Sequence, residues 1–488
     1  MKFYSALAVF TLLAGALAAE VRDELQHSIV RVTASFQNPD YFHPWKWGTP
    51  IQKSGQGLVV GRDLVITLAS TVTQANLVEV RLGAEPIAAN FIPVLIDYDR
   101  NLALLRGVLP PEAKPCPVPR QSHFSLSAPL RFFWKTDRGR FLEGTAALDR
   151  ADSDVQPPSF QGQLFFAGTS KSSIRGGFGE PVFAGDEFIG IATRGEEGNA
   201  DFFIIPVEVI HRSVDLEKGA AAPTTAMGGF SVLPCTQPYL RKKLGVQDGR
   251  LGCLVGEVFG QGAGSQSLKT GDLILNLAGR PLDAWGRYEH PLYGTLSYVH
   301  LFSEARLDDA LDTEIIRAGQ RQKIKLDLSA IRDDQWLVPH YREGEPSEYF
   351  IRGGFVFQPL SMAYLQADGD GEGKASDTLL MVLEKNRYKV KDAEHRDIVV
   401  LSQALSHPVN RGLQDLGQLV VSSVDGKPLR GLGHLKQVFD NPEQDVIRLG
   451  LLPGDMPLLL SKSRLKEADP EIKTLYDILS LEYFREEK

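Results

Sequence analysis

Residues 175–181 read Arg-Gly-Gly-Phe-Gly-Glu-Pro, and Val182-Phe183 and the apolar run Phe188-Ile189-Gly190-Ile191-Ala192-Thr193 follow. Glycine reaches backbone conformations closed to other residues and proline fixes its own φ, so this stretch is predicted to be a tight turn feeding a strand. Around it one theme recurs. Residues 28–34 alternate like a half-buried strand, and short apolar runs follow at 55–60, 64–67, 77–81, 91–96 and 102–105. A second set runs through 128–133, 144–148, 163–167, 188–193 and 202–206. Many short strands punctuated by turn residues predict an all-β sandwich or barrel over the first 200 or so positions.

A chain of 488 residues exceeds one ordinary core and predicts two to four domains. Lys+Arg 53 against Asp+Glu 61 gives a net charge of −8, spread along the sequence. That balance argues against nucleic acid, which selects a basic face, and offers no polybasic patch for a membrane. At the N-terminus, Lys2 precedes an apolar run over 3–14, and Ala16-Leu17-Ala18-Ala19 supplies small residues suited to cleavage. Residues 1–19 are therefore read as a secretory signal, with no membrane span after its removal. Cys116, Cys235 and Cys253 give no disulfide framework, and the absence of CxxC or HExxH spacing predicts no metal and no cofactor.

Four stretches carry a family resemblance. Residues 54–60 (Ser-Gly-Gln-Gly-Leu-Val-Val), 64–72 (Leu-Val-Ile-Thr-Leu-Ala-Ser-Thr-Val) and 97–105 (Asp-Tyr-Asp-Arg-Asn-Leu-Ala-Leu-Leu) resemble motifs of the Deg/HtrA branch of trypsin-like proteases. The turn at 175–181 resembles that family's Gly-Asn-Ser-Gly-Gly-Pro nucleophile loop. The resemblance implies two packed β-barrels with a cleft between them. Carried over position by position, the general base falls on Ser70, the residue orienting it on Asn101, and the nucleophile on Phe178. A triad needs an imidazole that takes a proton near neutral pH, a carboxylate beside it and an attacking oxygen or sulfur. A serine hydroxyl, an amide and a phenyl ring supply none of these. Ser170, Ser172 and Ser173, just before the turn, read as a polar loop rather than as displaced nucleophiles. Glu180, in place of the motif's second glycine, is expected to set a carboxylate beside the former oxyanion position.

Residues 219–227 form a small-residue linker. Beyond it, residues 268–282 (Leu-Lys-Thr-Gly-Asp-Leu-Ile-Leu-Asn-Leu-Ala-Gly-Arg-Pro-Leu) are similar to the PDZ signature. PDZ domains add a peptide as a strand to an exposed edge and hold its carboxylate on backbone amides. The resemblance puts that loop at Gly229, Phe230, Ser231 and Val232, with the groove helix within 292–306. Residues 346–361, 398–410 and 424–429 resemble the second PDZ of plant-organelle Deg proteases, in which it serves assembly. The domains are accordingly expected at 20–215, 216–331 and 332–488, the last ending in a charged helical tail from 461. Asp368-Gly369-Asp370-Gly371-Glu372-Gly373 has calcium-loop spacing, but Leu379 at its twelfth position offers no carboxylate, so it reads as an acidic turn.

The expected protein is mainly β, a trypsin-like double barrel followed by two PDZ domains. Its expected activity is that of a secreted, periplasmic pseudoprotease. It would bind peptides or unfolded proteins as a scaffold, chaperone-like holder or regulator in envelope protein quality control. The resemblance further implies a homo-oligomer, with an active Deg/HtrA relative as a second partner. The alternative reading is an active serine endopeptidase of the same type whose catalytic residues are relocated or misread in register.

Overall fold

The computed structural model describes residues 24–485 apart from 84–88, 123–127, 156–161, 171–176, 195–200, 217, 222–225, 247–250, 330, 341–343, 368–374 and 455. The signal expected at 1–19 and the acidic turn at 368–373 lie outside the described residues, as do most of the serine loop and His123. The chain gathers into two compact units. One comprises Met1–Phe36, Ile51–Val258 and Gly262–Ala330, the other Gln37–Pro50, Phe259–Gln261 and Ile331–Lys488.

In the first unit, β1 (Ile29–Phe36), β2 (Ile51–Val59), β3 (Leu64–Thr67), β4 (Leu77–Arg81), β5 (Ala89–Asp97) and β6 (Leu102–Gly107) close a barrel in the order β1-β2-β3-β6-β5-β4. The alternation read at 28–34 is the cause: Val30, Val32, Ala34 and Phe36 all point into its core. A second barrel follows from β7 (Pro129–Lys135), β8 (Phe141–Val155), β9 (Gly162–Ser170), β10 (Phe178–Ala184), β11 (Glu187–Arg194) and β12 (Asp201–Pro206). Two local readings change. Residues that continue from the third strand in sequence turn instead into a short helix, α1 (Ala69–Val72), and Phe178 opens a strand rather than sitting in a free turn.

After helix α2 (Val207–Ser213) comes a sheet with the order β13 (Phe230–Leu233), β14 (Cys253–Val258), β15 (Leu273–Leu277), β18 (Ala310–Arg317), β19 (Gln320–Asp327). A hairpin of β16 (Arg287–His290) and β17 (Gly294–Ser297) precedes helix α3 (Val299–Glu304). The groove helix expected within 292–306 is thus confined to the second half of that stretch. Phe132, Phe166, Ile204, Phe230, Ile274 and Phe302 share one apolar core, so barrel and sheet are packed as one body. Polar contacts close the seam, with Ser297 N donating to Ser153 Oγ (2.9 Å) and Tyr293 Oη to Glu208 (3.0 Å).

In the second unit, β20 (Tyr349–Arg352), β21 (Phe355–Pro359), β22 (Val399–Ala404), β23 (Leu419–Val424), β24 (Val446–Leu452), β25 (Met456–Ser461) and β26 (Glu482–Tyr483) form one sheet in the order β25-β24-β23-β22-β21-β20-β26. Helix α4 (Leu432–Asp440) lies between β23 and β24 in sequence, and α5 (Lys462–Leu475) is the helix expected in the tail. The tail is not helical throughout, because β26 pairs with β20. Residues 37–50 belong to this unit. Gln358 Nε2 donates to the Tyr41 carbonyl (3.2 Å), and Trp45 is buried with Tyr349, Ile351 and Ile472.

Candidate functional site

The two barrels of the first unit meet at β2 and β10. A Cβ on Gly55 would come within 2.7 Å of the Phe178 carbonyl oxygen and 3.0 Å of Thr71 Oγ1. A Cβ on Gly179, whose φ is +92°, would come within 2.6 Å of the Gln56 carbonyl. Those approaches explain the glycines without reference to chemistry. Gln56 is buried and treats Lys135 as a strand partner, accepting from its N–H (2.8 Å) and donating to its carbonyl (3.1 Å).

Ser70 and Asn101 are brought together. Asn101 sits at φ +54°, a conformation that favours Asn over most residues, and its Oδ1 accepts from Ser70 N at 2.8 Å. Its own carbonyl accepts from Ala69 N (3.1 Å), so Asn101 caps the first turn of α1, while Nδ2 donates to Thr193 Oγ1 at 3.1 Å. The contact is between amide and backbone; no proton-relay pair is formed. Phe178 stands at the head of β10 with 36% of its surface exposed. Of the described barrel histidines, His211 gives its Nε2 to the Val118 carbonyl (3.1 Å). Among the described residues neither it nor His27 bonds a hydroxyl or thiol.

Glu180 is the site's most constrained charge. It is 5% exposed, and its Oε2 accepts from both Gly177 N and Phe178 N at 2.8 Å. Burial pushes its carboxyl above the ordinary 4.5, while amide N–H groups of Phe178, Glu180 itself and Gly177 pull it down. In acyl transfer the amide of the nucleophile's own residue is one of those that hold the developing oxyanion. Here the Phe178 amide is already spent on a carboxylate. The sequence points to this residue, but not to its burial or its bonds to the turn. Thr193 and Thr71 escape sequence reading; Gln56, a polar residue between Gly55 and Gly57 on β2, leaves a trace there.

The second candidate site is the free edge of β13. Phe230, Ser231 and Val232 lie on β13, with Gly229 just before it, at the end of the sheet. Phe230 stacks on Tyr298 (5.2 Å between ring centroids) and meets Phe302 edge-on (5.9 Å). In the second unit the corresponding edge is filled. β20 runs antiparallel along β21 and also touches α4. Phe350 sits between Phe439 (5.5 Å) and Phe357 (6.3 Å), and Arg352 bonds Asp469 at 2.6 Å. Strand β20 therefore holds the place that an added ligand strand would take. Among the described residues no group of three or more His, Cys, Asp or Glu gathers as for a metal, and no helix is long and apolar enough to cross a membrane.

A PDZ-domain family model matches residues 338–482. Protease Do-like 2, chloroplastic, of Arabidopsis thaliana is 26% identical over 428 residues, 85% of this chain and 68% of that protein. Protease Do-like 4, mitochondrial, of the same plant is 21% identical over 93% of this chain and 84% of its own length. Among solved structures, a variant of the HtrA-type protease AlgW with a decapeptide superposes with a TM-score of 0.51 at 14% identity. It covers 64% of this chain and 97% of that one, a likeness of fold. Two barrels, a PDZ-domain match and relatives aligned along most of its length support a Deg/HtrA-like chain that carries a PDZ domain.

Proposed function

We propose that this chain is a Deg/HtrA pseudoprotease that binds peptides or unfolded proteins through the open edge of its first PDZ-like sheet. It would serve as a scaffold, chaperone-like or regulatory protein, exported by residues 1–19 and acting in envelope protein quality control as a homo-oligomer. One observation carries the reading: the Phe178 amide, where an oxyanion would need a donor, holds Glu180 instead, and the Gly177 amide joins it. The identities of Ser70, Asn101 and Phe178 agree with it, since none supplies an attacking atom with a base.

The test treats purified protein with a fluorophosphonate probe and with casein, beside an aggregation-suppression assay. No labelling and no turnover are expected, together with suppression of aggregation. Phe178→Ser alone is expected to restore nothing, because no imidazole stands at position 70. Stoichiometric labelling or steady casein cleavage by the unaltered chain would overturn the proposal.

A further inference from the structure

We propose that His290 and His300 form an acid-released latch between the second barrel and the first PDZ-like sheet, by which a fall in pH loosens the β16–β17 hairpin and α3 from α2. Two of the polar bonds that cross this seam depend on a histidine. Arg212, on α2, donates from Nη2 to Glu304 Oε1 at 2.9 Å, and that same oxygen lies 3.5 Å from His300 Nε2. Tyr293, in the hairpin turn, donates from Oη to Glu208 Oε1 at 3.0 Å. Its ring stacks on the His290 imidazole (4.7 Å between centroids), and its N–H, with that of Leu292, donates to His290 Nδ1 at 3.2 Å. The two imidazoles meet edge to face at 5.5 Å, so a charge on one bears on the other.

His300 has no exposed surface. Its Nδ1 is bonded to the Tyr288 hydroxyl at 2.5 Å, and its Nε2 has no hydrogen-bond partner among the described residues. A cation made there has no water, and the carboxylate oxygen beside it is already taken by Arg212. Turning Glu304 toward the imidazolium strips it from Arg212. A proton on His290 Nδ1 sets an N–H against two N–H donors and undoes the turn that presents Tyr293. Burial accordingly holds His300 down at about 4, with Glu304 pulling it up and Arg212 and His290 pushing it further down. Burial lowers His290 as well, with Glu304 opposing and Arg280 assisting. The other charges around the pair are matched or turned away. On β16, Arg287 and Glu289 alternate to the side opposite Tyr288 and His290 and are exposed. Strand β8, packed on α3, brings Arg150 and Asp152, which bond each other at 3.3 Å. On α2, Glu208 also accepts from Ser122 N (2.8 Å) and Oγ (2.6 Å), and His211 bonds the Val118 carbonyl. An imidazole held lower in the closed seam than in the open one stabilises closure in full above 6.5, and that stability is lost as pH falls toward 4. The loosening reaches the β13 edge, because Tyr298 and Phe302 pack on Phe230. Control of peptide binding by the latch rests on the reading above; the latch itself does not.

The experiment follows amide exchange of the full chain, with no peptide added, at pH 7.5 and pH 5, each rate corrected for the intrinsic effect of pH. An imidazole held at about 4 when closed and released to 6.5 when open shifts the opening equilibrium about thirtyfold between these conditions. Protection at 207–213 and 288–304 is therefore expected to fall about thirtyfold in acid, while that of β1 stays within about threefold. His300→Asn keeps an acceptor for the Tyr288 hydroxyl without a titratable ring, and should hold the acid loss to about threefold or less. His290→Asn, at a half-buried position, keeps an acceptor for the Leu292 and Tyr293 amides and should cut the acid loss about threefold. Equal protection at the two pH values overturns the latch. So does an acid loss that both variants leave intact, or one that β1 shares equally. Each of these outcomes leaves the peptide-binding reading standing, because no peptide enters the measurement.

Discussion

Glu180 answers to pH in the sense opposite to most carboxylates that accept hydrogen bonds. Its folded value lies above the ordinary 4.5, so the folded state holds the proton more tightly than the unfolded chain does. The stability this supplies is present in full below 4.5 and is lost as pH rises through the folded value. Glu180→Gln keeps an acceptor for both amides without a charge. The variant is expected to match the parent in acid and to exceed it by on the order of 1 kcal/mol at neutral pH. Thermal melts at several pH values check this; a gap that shrinks toward neutrality would refute it. The residue was readable in the sequence as a carboxylate in a glycine turn. Its burial was not, because that depends on β2 and β10 approaching across the two barrels. Asn101 was similarly half legible: its identity excludes the usual carboxylate, but its role as a cap on α1 follows from a fold-dependent φ.

At the scale of elements, the strands announced themselves through period-two alternation, a local property of the chain. The pairing of β20 with β21 did not, since Phe350 finds Phe439 through a sequence gap too wide for any local pattern. The tail shows the same limit: charge and periodicity gave α5, but β26 exists only because β20 is there to receive it. Arg352 and Asp469 hold β20 in place, with side chains 13% and 6% exposed. Asp469 also accepts from Gly353 N at 2.8 Å. Arg352→Ala leaves that carboxylate buried beside a single amide and is expected to cost on the order of 3 kcal/mol. Denaturant titration measures the loss, and amide exchange over 349–352 should rise with it. An unchanged midpoint would mean that the strand is held by its aromatic face alone.

For the molecule as a whole, two bodies with separate apolar cores predict two unfolding steps. Phe132 belongs to the core of one and Phe357 to that of the other, each 1% exposed or less. Replacing either by Ala is expected to cost about 3–5 kcal/mol in its own step only. Calorimetry of the two variants checks this, and one transition that moves with both would refute it. The filled edge of β21 also bears on how many ligands a single copy would take under the proposed function. With β20 seated there and β13 open, the proposed peptide binding would have a valency of one per copy. A partner bearing two tails must then bridge two copies, and avidity has to come from assembling copies rather than from the two sheets of one chain.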